Sequence, residues 1–265
     1  MPFHTLQNAA DGTIDPKAIA SAIREDDSHF PRTALICLEN THNRCGGAPI
    51  PASYMDEVAD VCERAKLPGG GRLPLHVDGA RIFNAAAALK TTAEVLLERA
   101  DSASVCLSKG LGAPIGSVVV GAADFIARAR RVRKVVGGGM RQAGVIAGCG
   151  IVGLQENSLK LGDDHSRARQ LARGLAGVKG ITVDISKVKT NIVFFGLTDE
   201  ATVDAAGLVQ GLEDRGVRIG AYGGMKCRAV THYQITDEHI ERFLEAATDV
   251  MEKGSQPQLQ SDTSA

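Results

Sequence analysis

A lysine, Lys109, stands between two short apolar runs in the middle of the chain. The first run is Ser104–Leu107, and the second, Ser117–Val120, is rich in β-branched residues. Each run predicts a short strand, and the Gly- and Pro-containing segment Gly110–Gly116 predicts a loop between them. Small and apolar neighbours would partly desolvate the Lys109 amine, so that its neutral form could attack a carbonyl and form a Schiff base. A solvated loop lysine is the alternative for this residue considered alone.

An aspartate occupies a comparable position earlier in the chain. Asp78 ends the apolar run Leu75–Asp78 and precedes an Ala-rich segment that predicts a helix. Ligands of open α/β sheets bind outside the carboxyl ends of the strands, so Asp78 and Lys109 would face the same region. Pyridoxal 5′-phosphate (PLP) chemistry needs this pair, because the lysine forms the Schiff base and the carboxylate keeps the pyridine nitrogen protonated. A turn or capping role is the alternative for Asp78.

The composition is that of an ordinary globular protein. The 265 residues are 44% hydrophobic and 23% charged, with a formal net charge of −1, which argues against a nucleic-acid or membrane partner. No apolar run has the length of a membrane-spanning helix. The first residues lack the features of a secretory signal, and the six cysteines show no CxxC spacing, so we expect a cytoplasmic protein with reduced thiols.

Residues 1–156 alternate predicted strands and helices, the pattern of an α/β domain with a mostly parallel sheet. The apolar strand Thr33–Leu38 is followed at its carboxyl end by the polar residues Glu39–Asn43. The predicted helices are Asp15–Glu25, Ser53–Lys66, Thr92–Arg99, Ala123–Val136 and Gln142–Leu154. We therefore expect a large domain over residues 1–156 whose ligand lies at the carboxyl ends of its strands.

The pattern changes after residue 156. Residues 157–253 predict a smaller C-terminal α+β domain, and residues 254–265 are polar and predict a disordered tail. The predicted helices are Asp163–Ala176, Ala201–Arg215 and Asp237–Lys253, and the predicted strands are Asn191–Phe195, Val217–Gly220 and Arg228–Tyr233. The last of these helices has a clear apolar face.

Three other kinds of site fit the sequence less well. The glycines of Gly110–Gly116 have the wrong spacing for a dinucleotide-binding G-x-G-x-x-G motif and lead into a strand. The basic helix Ala123–Val136 has no interleaved aromatic residues of the kind that bind nucleic-acid bases. His42 and Cys45 could form half of a metal site, but no second pair follows.

Five motifs, in order along the chain, resemble the low-specificity L-threonine aldolases, which are PLP enzymes of the aspartate-aminotransferase fold (fold type I). The motifs are ENTHN (Glu39–Asn43), LHVDGARIFNAA (Leu75–Ala86), SKGLGAPIGS (Ser108–Ser117), RKVVGGGMRQAG (Arg133–Gly144) and RAVTH (Arg228–His232). The resemblance implies a lyase that cleaves L-threonine or L-allo-threonine to glycine and an aldehyde. Its partners would be a small amino-acid substrate and further copies of the same chain, in a dimer or tetramer.

The resemblance also implies which residues would bind the cofactor. Lys109 would bind PLP as a Schiff base, and Asp78 would pair with the pyridine nitrogen. Arg81 would reach the phenolic oxygen of the ring. Arg141 would bind the cofactor phosphate in the site of a neighbouring subunit, since the active sites of this family lie at a dimer interface.

Two further residues are implied to act on the substrate. Arg228 would bind the substrate carboxylate with its planar guanidinium, although a surface ion pair is the alternative outside the motif context. His29 matches a family histidine near the substrate hydroxyl and is the candidate catalytic base. A surface histidine is the alternative for His29.

The chain also departs from the family pattern. Family members carry a longer N-terminal region, which holds the glycine-threonine turn around the PLP phosphate and the histidine stacked on the ring. Neither feature is matched here, as in a member that lacks its N-terminal third, so we expect weak PLP retention and little aldolase activity from this chain alone. The alternatives are a truncated isoform, catalytically impaired, that associates with full-length subunits, and another PLP lyase or aminotransferase of the same fold.

Overall fold

The computed structural model describes residues 3–65, 67 and 70–253. Within these ranges the chain divides into two compact units, one ending at Gly162 and the other beginning at Asp163. None of the described helices combines the length and the apolar character that crossing a membrane requires. The predicted tail, residues 254–265, lies outside the described residues.

The first unit is built on a sheet of four strands among the described residues, in the order β1-β2-β3-β4. Strands β1 (Ile36–Glu39), β2 (Leu75–Asp78) and β3 (Ser102–Cys106) run parallel, and β4 (Ser117–Gly121) is antiparallel to β3. The predicted α/β class with a mostly parallel sheet is therefore confirmed. The parallel arrangement places the carboxyl ends of β1, β2 and β3 at one edge of the sheet.

Helices connect and cover these strands. They are α1 (Pro16–Ala22), α2 (Ala52–Arg64), α3 (Ile82–Leu89), α4 (Ala93–Leu97), α5 (Ala123–Val135) and α6 (Gly144–Gln155). The start of α1 follows its sequence signals, since Asp15 accepts a hydrogen bond from the Lys17 N–H at 2.9 Å and Pro16 occupies the first turn. Local capping chemistry thus explains where this helix begins.

One face of the sheet forms the core of the first unit, which explains the buried apolar residues of its strands. On this face, Leu38 and Val77 pack with Val58 of α2. Ala103 of β3 pairs in register with Val77, so Val105, two residues further along β3, lies on the same face. It packs there with Ile82 of α3 and with α4. On the opposite face, Cys37 of β1 is exposed and His76 of β2 is half-buried.

The second unit contains a sheet in the order β5-β6-β8-β7 among the described residues. Its strands β5 (Ile181–Thr182), β6 (Ile192–Leu197), β7 (Gly220–Ala221) and β8 (Lys226–Val230) pair antiparallel throughout. The helices are α7 (Leu161–Leu175), α8 (Ala205–Glu213) and α9 (Asp237–Lys253). The predicted α+β architecture and the bounds of the last helix are confirmed.

One face of this second sheet forms the core of its unit. Val193 and Phe195 of β6 and Cys227 of β8 pack with side chains from all three helices. Because side chains alternate along a strand, Phe194 and Arg228 lie on the opposite face, and both are half-buried. The sheet therefore presents a charged and aromatic surface on the side away from the core of its own unit.

Candidate functional site

Asp78 lies at the end of β2, between β1 and β3. It pairs in register with Glu39 on one side and with Ser104 on the other. The Asp78 side chain is exposed, and its Oδ1 accepts a hydrogen bond from the Ala80 N–H at 3.0 Å. Its Oδ2 makes no hydrogen bond within the described ranges. One carboxylate oxygen of Asp78 thus accepts a hydrogen bond within the turn, and the other oxygen is available at the edge of the sheet.

The residue after Asp78 is a glycine for a steric reason. The Gly79 N–H donates to the Ser104 carbonyl at 2.8 Å. A Cβ at this position would lie 3.1 Å from the same oxygen and 3.2 Å from the Cβ of Ile82. Glycine therefore allows the end of β2 to turn close against β3, which holds Asp78 beside the strand that leads to Lys109.

Lys109 follows the end of β3, in the loop that leads to β4. The Gly112 N–H donates to the Lys109 carbonyl at 2.9 Å, which closes a tight turn around this residue. The side chain is exposed, and its amine makes no hydrogen bond or ion pair with any residue that the structure describes. Lys109 and Asp78 therefore stand at the carboxyl ends of adjacent parallel strands.

The expected desolvation of Lys109 is wrong for this chain. The apolar neighbours Leu107, Leu111 and Ala113 turn inward and form a small core cluster with Phe83. Their side chains are therefore directed away from the lysine, which the polar Ser108 and the small Gly110 leave in solvent. The apolar residues that are close to Lys109 in the sequence therefore do not surround its amine in the structure.

Helix α6 holds this loop in place. A Cβ at Gly153 would lie 2.5 Å from the Leu111 carbonyl oxygen, so the helix and the loop backbone are in close contact. The Asn157 side chain donates to the same oxygen at 2.9 Å. The loop that carries Lys109 is thus anchored at Leu111, two residues beyond the lysine.

The electrostatics of β3 reflect the lysine charge. Burial raises the pKa of the Cys106 thiol, but hydrogen bonds with Ser108 and Ser117 and the Lys109 charge together hold that pKa below its ordinary value. On β2, burial lowers the pKa of His76, although the Asp78 charge opposes this shift. The charges of Lys109 and Asp78 therefore act on the side chains of Cys106 and His76 in the adjoining strands.

Arg81 lies at the start of α3, three residues after Asp78, and is half-buried. Its Nη1 donates to Asn43 Oδ1 at 3.4 Å, and the Asn43 N–H donates to Glu39 Oε1 at 3.1 Å. The segment Glu39–Asn43, which the sequence placed at the ligand-facing end of a strand, therefore lies beside Arg81. The contact of Asn43 with Arg81 was not predicted, because it joins residues 38 positions apart in the chain.

Thr41 in the same segment is 2% exposed, and its Oγ1 has no hydrogen-bond partner within the described residues. His42 next to it brings its Nε2 within 3.7 Å of Glu39 Oε2. The carboxyl end of β1 is therefore lined with polar side chains, like the ends of β2 and β3. The edge of the sheet as a whole is polar.

Arg141 and His29 make no hydrogen bond or ion pair with Lys109 or Asp78 among the described residues. Arg141 lies exposed between α5 and α6, and its guanidinium has no hydrogen bond or ion pair with the described residues. The His29 side chain is 83% exposed, and its Nδ1 lies 2.8 Å from Asp27 Oδ1. The roles that the family resemblance implies for both residues therefore stay predictions.

Arg228 lies in the second unit, in the middle of β8. It pairs in register with Phe194 of β6 and with Gly220 of β7. Its guanidinium lies over the Phe194 ring, with Cζ 6.0 Å from the ring centroid. Arg228 is thus held within a sheet, unlike the exposed charges of the first unit.

The groups at the edge of the first sheet fit PLP. An exposed amine at Lys109 suits the aldehyde of the cofactor, and the Asp78 carboxylate suits a pyridine nitrogen. The Arg81 guanidinium suits an anionic oxygen, because it supplies several donors in a planar arrangement. No group of three or more metal-ligating side chains is present in the described ranges.

Comparison with known proteins places these observations in context. A family model described as Beta-eliminating lyase matches residues 1–198. The chain is 45% identical over 242 residues to the probable low-specificity L-threonine aldolase 2 of Arabidopsis thaliana, a match that covers 91% of this chain and 66% of that protein. It is 40% identical over 235 residues to the low specificity L-threonine aldolase of Escherichia coli strain K12, covering 89% of this chain and 66% of that protein. The chain thus spans just under two thirds of the length of these relatives.

Solved structures share the fold. The threonine aldolase of Leishmania major superposes with a TM-score of 0.71 at 19% identity, covering 92% of this chain and 69% of that chain. A putative L-allo-threonine aldolase from Listeria monocytogenes superposes with a TM-score of 0.70 at 18% identity, covering 92% of this chain and 67% of that chain. At these identities the likeness establishes the fold.

Proposed function

This chain belongs to the Beta-eliminating lyase family, and from that premise we propose that, together with the N-terminal region that family members carry, it binds PLP and cleaves L-threonine or L-allo-threonine to glycine and an aldehyde. The observation that carries the proposal is the placement of Asp78 and Lys109 at the carboxyl ends of adjacent parallel strands. Relatives named L-threonine aldolases, at 40% and 45% identity, support this reaction over others of the family.

Residues of the first unit would hold the cofactor. Lys109 would bind its aldehyde carbon, because the amine is exposed and has no partner among the described side chains. Asp78 would hold the proton on the pyridine nitrogen through the oxygen that the Ala80 turn leaves free. Arg81 would donate to the phenolic oxygen. When bound, PLP supplies an electron sink for the electron pair that remains after the Cα–Cβ bond breaks.

Other residues would act on the substrate and on the cofactor phosphate. Arg228 would bind the substrate carboxylate, since a guanidinium presents two parallel donors to a carboxylate. His29 would take the proton of the β-hydroxyl group, directly or through a water. Arg141 would bind the phosphate in the site of a neighbouring copy, which makes a dimer or tetramer part of the proposal. The free thiols of all six cysteines support a cytoplasmic location.

Borohydride reduction in the presence of PLP, followed by peptide mapping, tests the cofactor site. We expect the pyridoxyl label on Lys109. A label on Lys134 or Lys226 instead would contradict the proposed site.

Analysis of the products tests the reaction. Aldol cleavage of threonine yields glycine and acetaldehyde. Transamination or β-elimination is the second candidate, favoured by the description of the matching family as beta-eliminating lyases, and it would yield a keto acid. A keto acid without glycine would therefore replace the aldolase proposal with the second candidate.

A further inference from the structure

We propose that Asn157 is a positioning residue for Lys109. Its side chain fixes the loop backbone that carries the lysine and thereby sets how readily the Lys109 amine reacts with PLP. This inference rests on the role proposed above for Lys109. Asn157 is the first residue of the short 3-10 turn Asn157–Lys160, which follows α6. None of the five sequence motifs includes it.

The loop Ser108–Gly116 depends on other elements for its position. Gly112 in this loop has a φ of 71°, in the left-handed region that favours glycine. The Gly112 N–H donates to the Lys109 carbonyl at 2.9 Å, and the Ala113 N–H donates to the Leu107 carbonyl at 3.0 Å. These bonds join residues that are close in the chain, so they shape the loop but do not attach it to a helix.

Two contacts attach the loop to the turn after α6. The Asn157 Nδ2 donates to the Leu111 carbonyl oxygen at 2.9 Å. Leu161, which directly follows the turn and is still within the first unit, packs at Gly110, where an added Cβ would lie 2.8 Å from the Leu161 Cδ2. The two residues directly after Lys109 are therefore held by the same short segment.

The hydrogen bond from Asn157 is the polar part of this attachment. Among the described side chains outside β3, Asn157 alone hydrogen-bonds to the loop. Leu111 is 3% exposed, and no described backbone N–H donates to its carbonyl. A buried carbonyl without a donor is costly. Without the Asn157 amide, we therefore expect the loop to shift until this carbonyl reaches water, and Lys109 to move with it.

The position of the Lys109 backbone matters because the amine must meet a ligand that other groups hold. Asp78 is fixed at the end of β2, where Gly79 turns close against β3. The aldehyde of a PLP ring held at Asp78 would lie at one place, and an amine that samples more positions reaches it less often. Loosening the loop should therefore slow the reaction of Lys109 without changing its charge or its exposure.

Borohydride trapping at increasing PLP concentrations tests the inference in the full chain. Peptide mapping measures the pyridoxyl label on Lys109, and the label on Lys179, an exposed lysine of the second unit, is the internal reference. At subsaturating PLP, we expect Asn157→Ala to lower the Lys109 label relative to Lys179 about threefold to tenfold. A role in stability alone would leave this ratio unchanged, because both labels are measured on the same folded molecules.

Asn157→Asp separates the hydrogen bond from packing. Aspartate keeps the size of the side chain, but its carboxylate has no N–H to donate. We therefore expect this variant to lose the Lys109 label as Asn157→Ala does. Labelling like that of the parent protein in Asn157→Asp would overturn the inference, and so would an unchanged ratio in Asn157→Ala.

Asn8→Ala is the matched control. The Asn8 Nδ2 also donates to a backbone carbonyl at 2.9 Å, that of Gly12, and its hydrogen bond is likewise part-buried. The variant should lose stability in thermal unfolding without changing the ratio of the Lys109 and Lys179 labels. An equal fall in this ratio in Asn8→Ala and Asn157→Ala would show a general effect of a lost hydrogen bond and would contradict the positioning role.

Hydrogen exchange gives a second measurement that does not need PLP. The Gly112 N–H is bonded to the Lys109 carbonyl and therefore reports on the turn that carries the lysine. In Asn157→Ala we expect faster exchange in the peptide that contains Gly112, with exchange in β2 unchanged. Unchanged exchange at Gly112 would show that the loop keeps its place without Asn157 and would overturn the inference.

These measurements separate the inference from the proposed reaction. A parent protein that is labelled at Lys109 but releases no glycine from threonine would contradict the proposed reaction, and the Asn157 variants would still decide on the positioning role. If the parent protein carries no more label on Lys109 than on Lys179, the proposed cofactor site fails and the inference fails with it.

Discussion

The two units of this molecule hold their proposed ligand-binding charges in different ways. At the edge of the first sheet, Lys109 and Asp78 follow strand ends and are exposed. In the second unit, Arg228 lies within β8, half-buried, with its guanidinium over Phe194. The first arrangement leaves a charge to be oriented by what binds to it, whereas the second orients a charge before anything binds. A charged side chain after a strand end is accessible to a ligand, whereas a charged side chain within a strand is held in position before a ligand binds.

This difference has an energetic consequence. Exposed charges remain hydrated, so they contribute little to folding, and replacing them should change stability by no more than about 0.5 kcal/mol. Phe194, the β6 neighbour of Arg228, is half-buried and contacts the Tyr222 ring, so replacing it should alter both packing and binding. Substitutions of Lys109 and Asp78 in the first unit should therefore change activity without changing stability. Substitutions around Arg228 in the second unit should change both.

The largest effect is expected from Lys109→Ala. The variant removes the amine that would bind PLP, so threonine cleavage should fall to background and borohydride reduction should leave no pyridoxyl label. Thermal unfolding should be unchanged, because the side chain is exposed and has no described partner. Lys134→Ala, at another exposed lysine, is the matched control and should retain both the label and the activity.

The second-largest effect on activity is expected from Asp78→Asn. Asparagine keeps the size of the side chain and an oxygen that can accept from the Ala80 N–H, but it removes the negative charge. We expect kcat to fall about 100- to 1,000-fold, the range seen when one electrostatic group of an active site is removed. Asp124→Asn, at an exposed carboxylate on α5, is the control. Steady-state kinetics in which both variants behave alike would argue against the proposed role of Asp78.

Arg228→Ala should act on binding. Loss of a charge-assisted contact with the substrate carboxylate should cost on the order of 2–4 kcal/mol, or about 30- to 1,000-fold in kcat/KM. Arg228→Lys should recover only part of this loss, because an ammonium group lacks the planar pair of donors. Initial-rate measurements should place the change in KM, and an unaltered KM in Arg228→Ala would contradict this role.

The smallest effect is expected from a substitution in α6, the helix that contacts the loop carrying Lys109. Gly153→Ala would place a Cβ 2.5 Å from the Leu111 carbonyl oxygen, and the helix or the loop would have to move. Overpacking of this kind costs about 1–3 kcal/mol, so the Tm should fall. Gly148→Ala, on the same helix with nothing within 4 Å of the added Cβ, should instead raise the Tm. Equal shifts in both variants would show that α6 does not anchor the loop.

Much of the fold could be predicted from local sequence. Apolar runs bounded by Gly and Pro identified β2, β3 and β4, and the periodic helix Asp237–Lys253 has the predicted bounds. Strand ends were less accurate. Strand β8 runs over Lys226–Val230 instead of the predicted Arg228–Tyr233, because its register with β6 ends at the pair Ile192 and Val230. One residue further on, the Thr231 N–H still donates to the Asn191 carbonyl at 3.0 Å. The two-residue strand β5 had no sequence signal of its own.

By itself, the sequence determined that Asp78 and Lys109 follow strands, since a strand is encoded in a few consecutive residues. Only the tertiary structure decided that these strands are adjacent and parallel and that the apolar neighbours of Lys109 turn inward. It also decided that Phe194 and Gly220 flank Arg228. The physical reason is that hydrogen bonding between strands joins residues far apart in the chain, and no local pattern records which partner a strand will find.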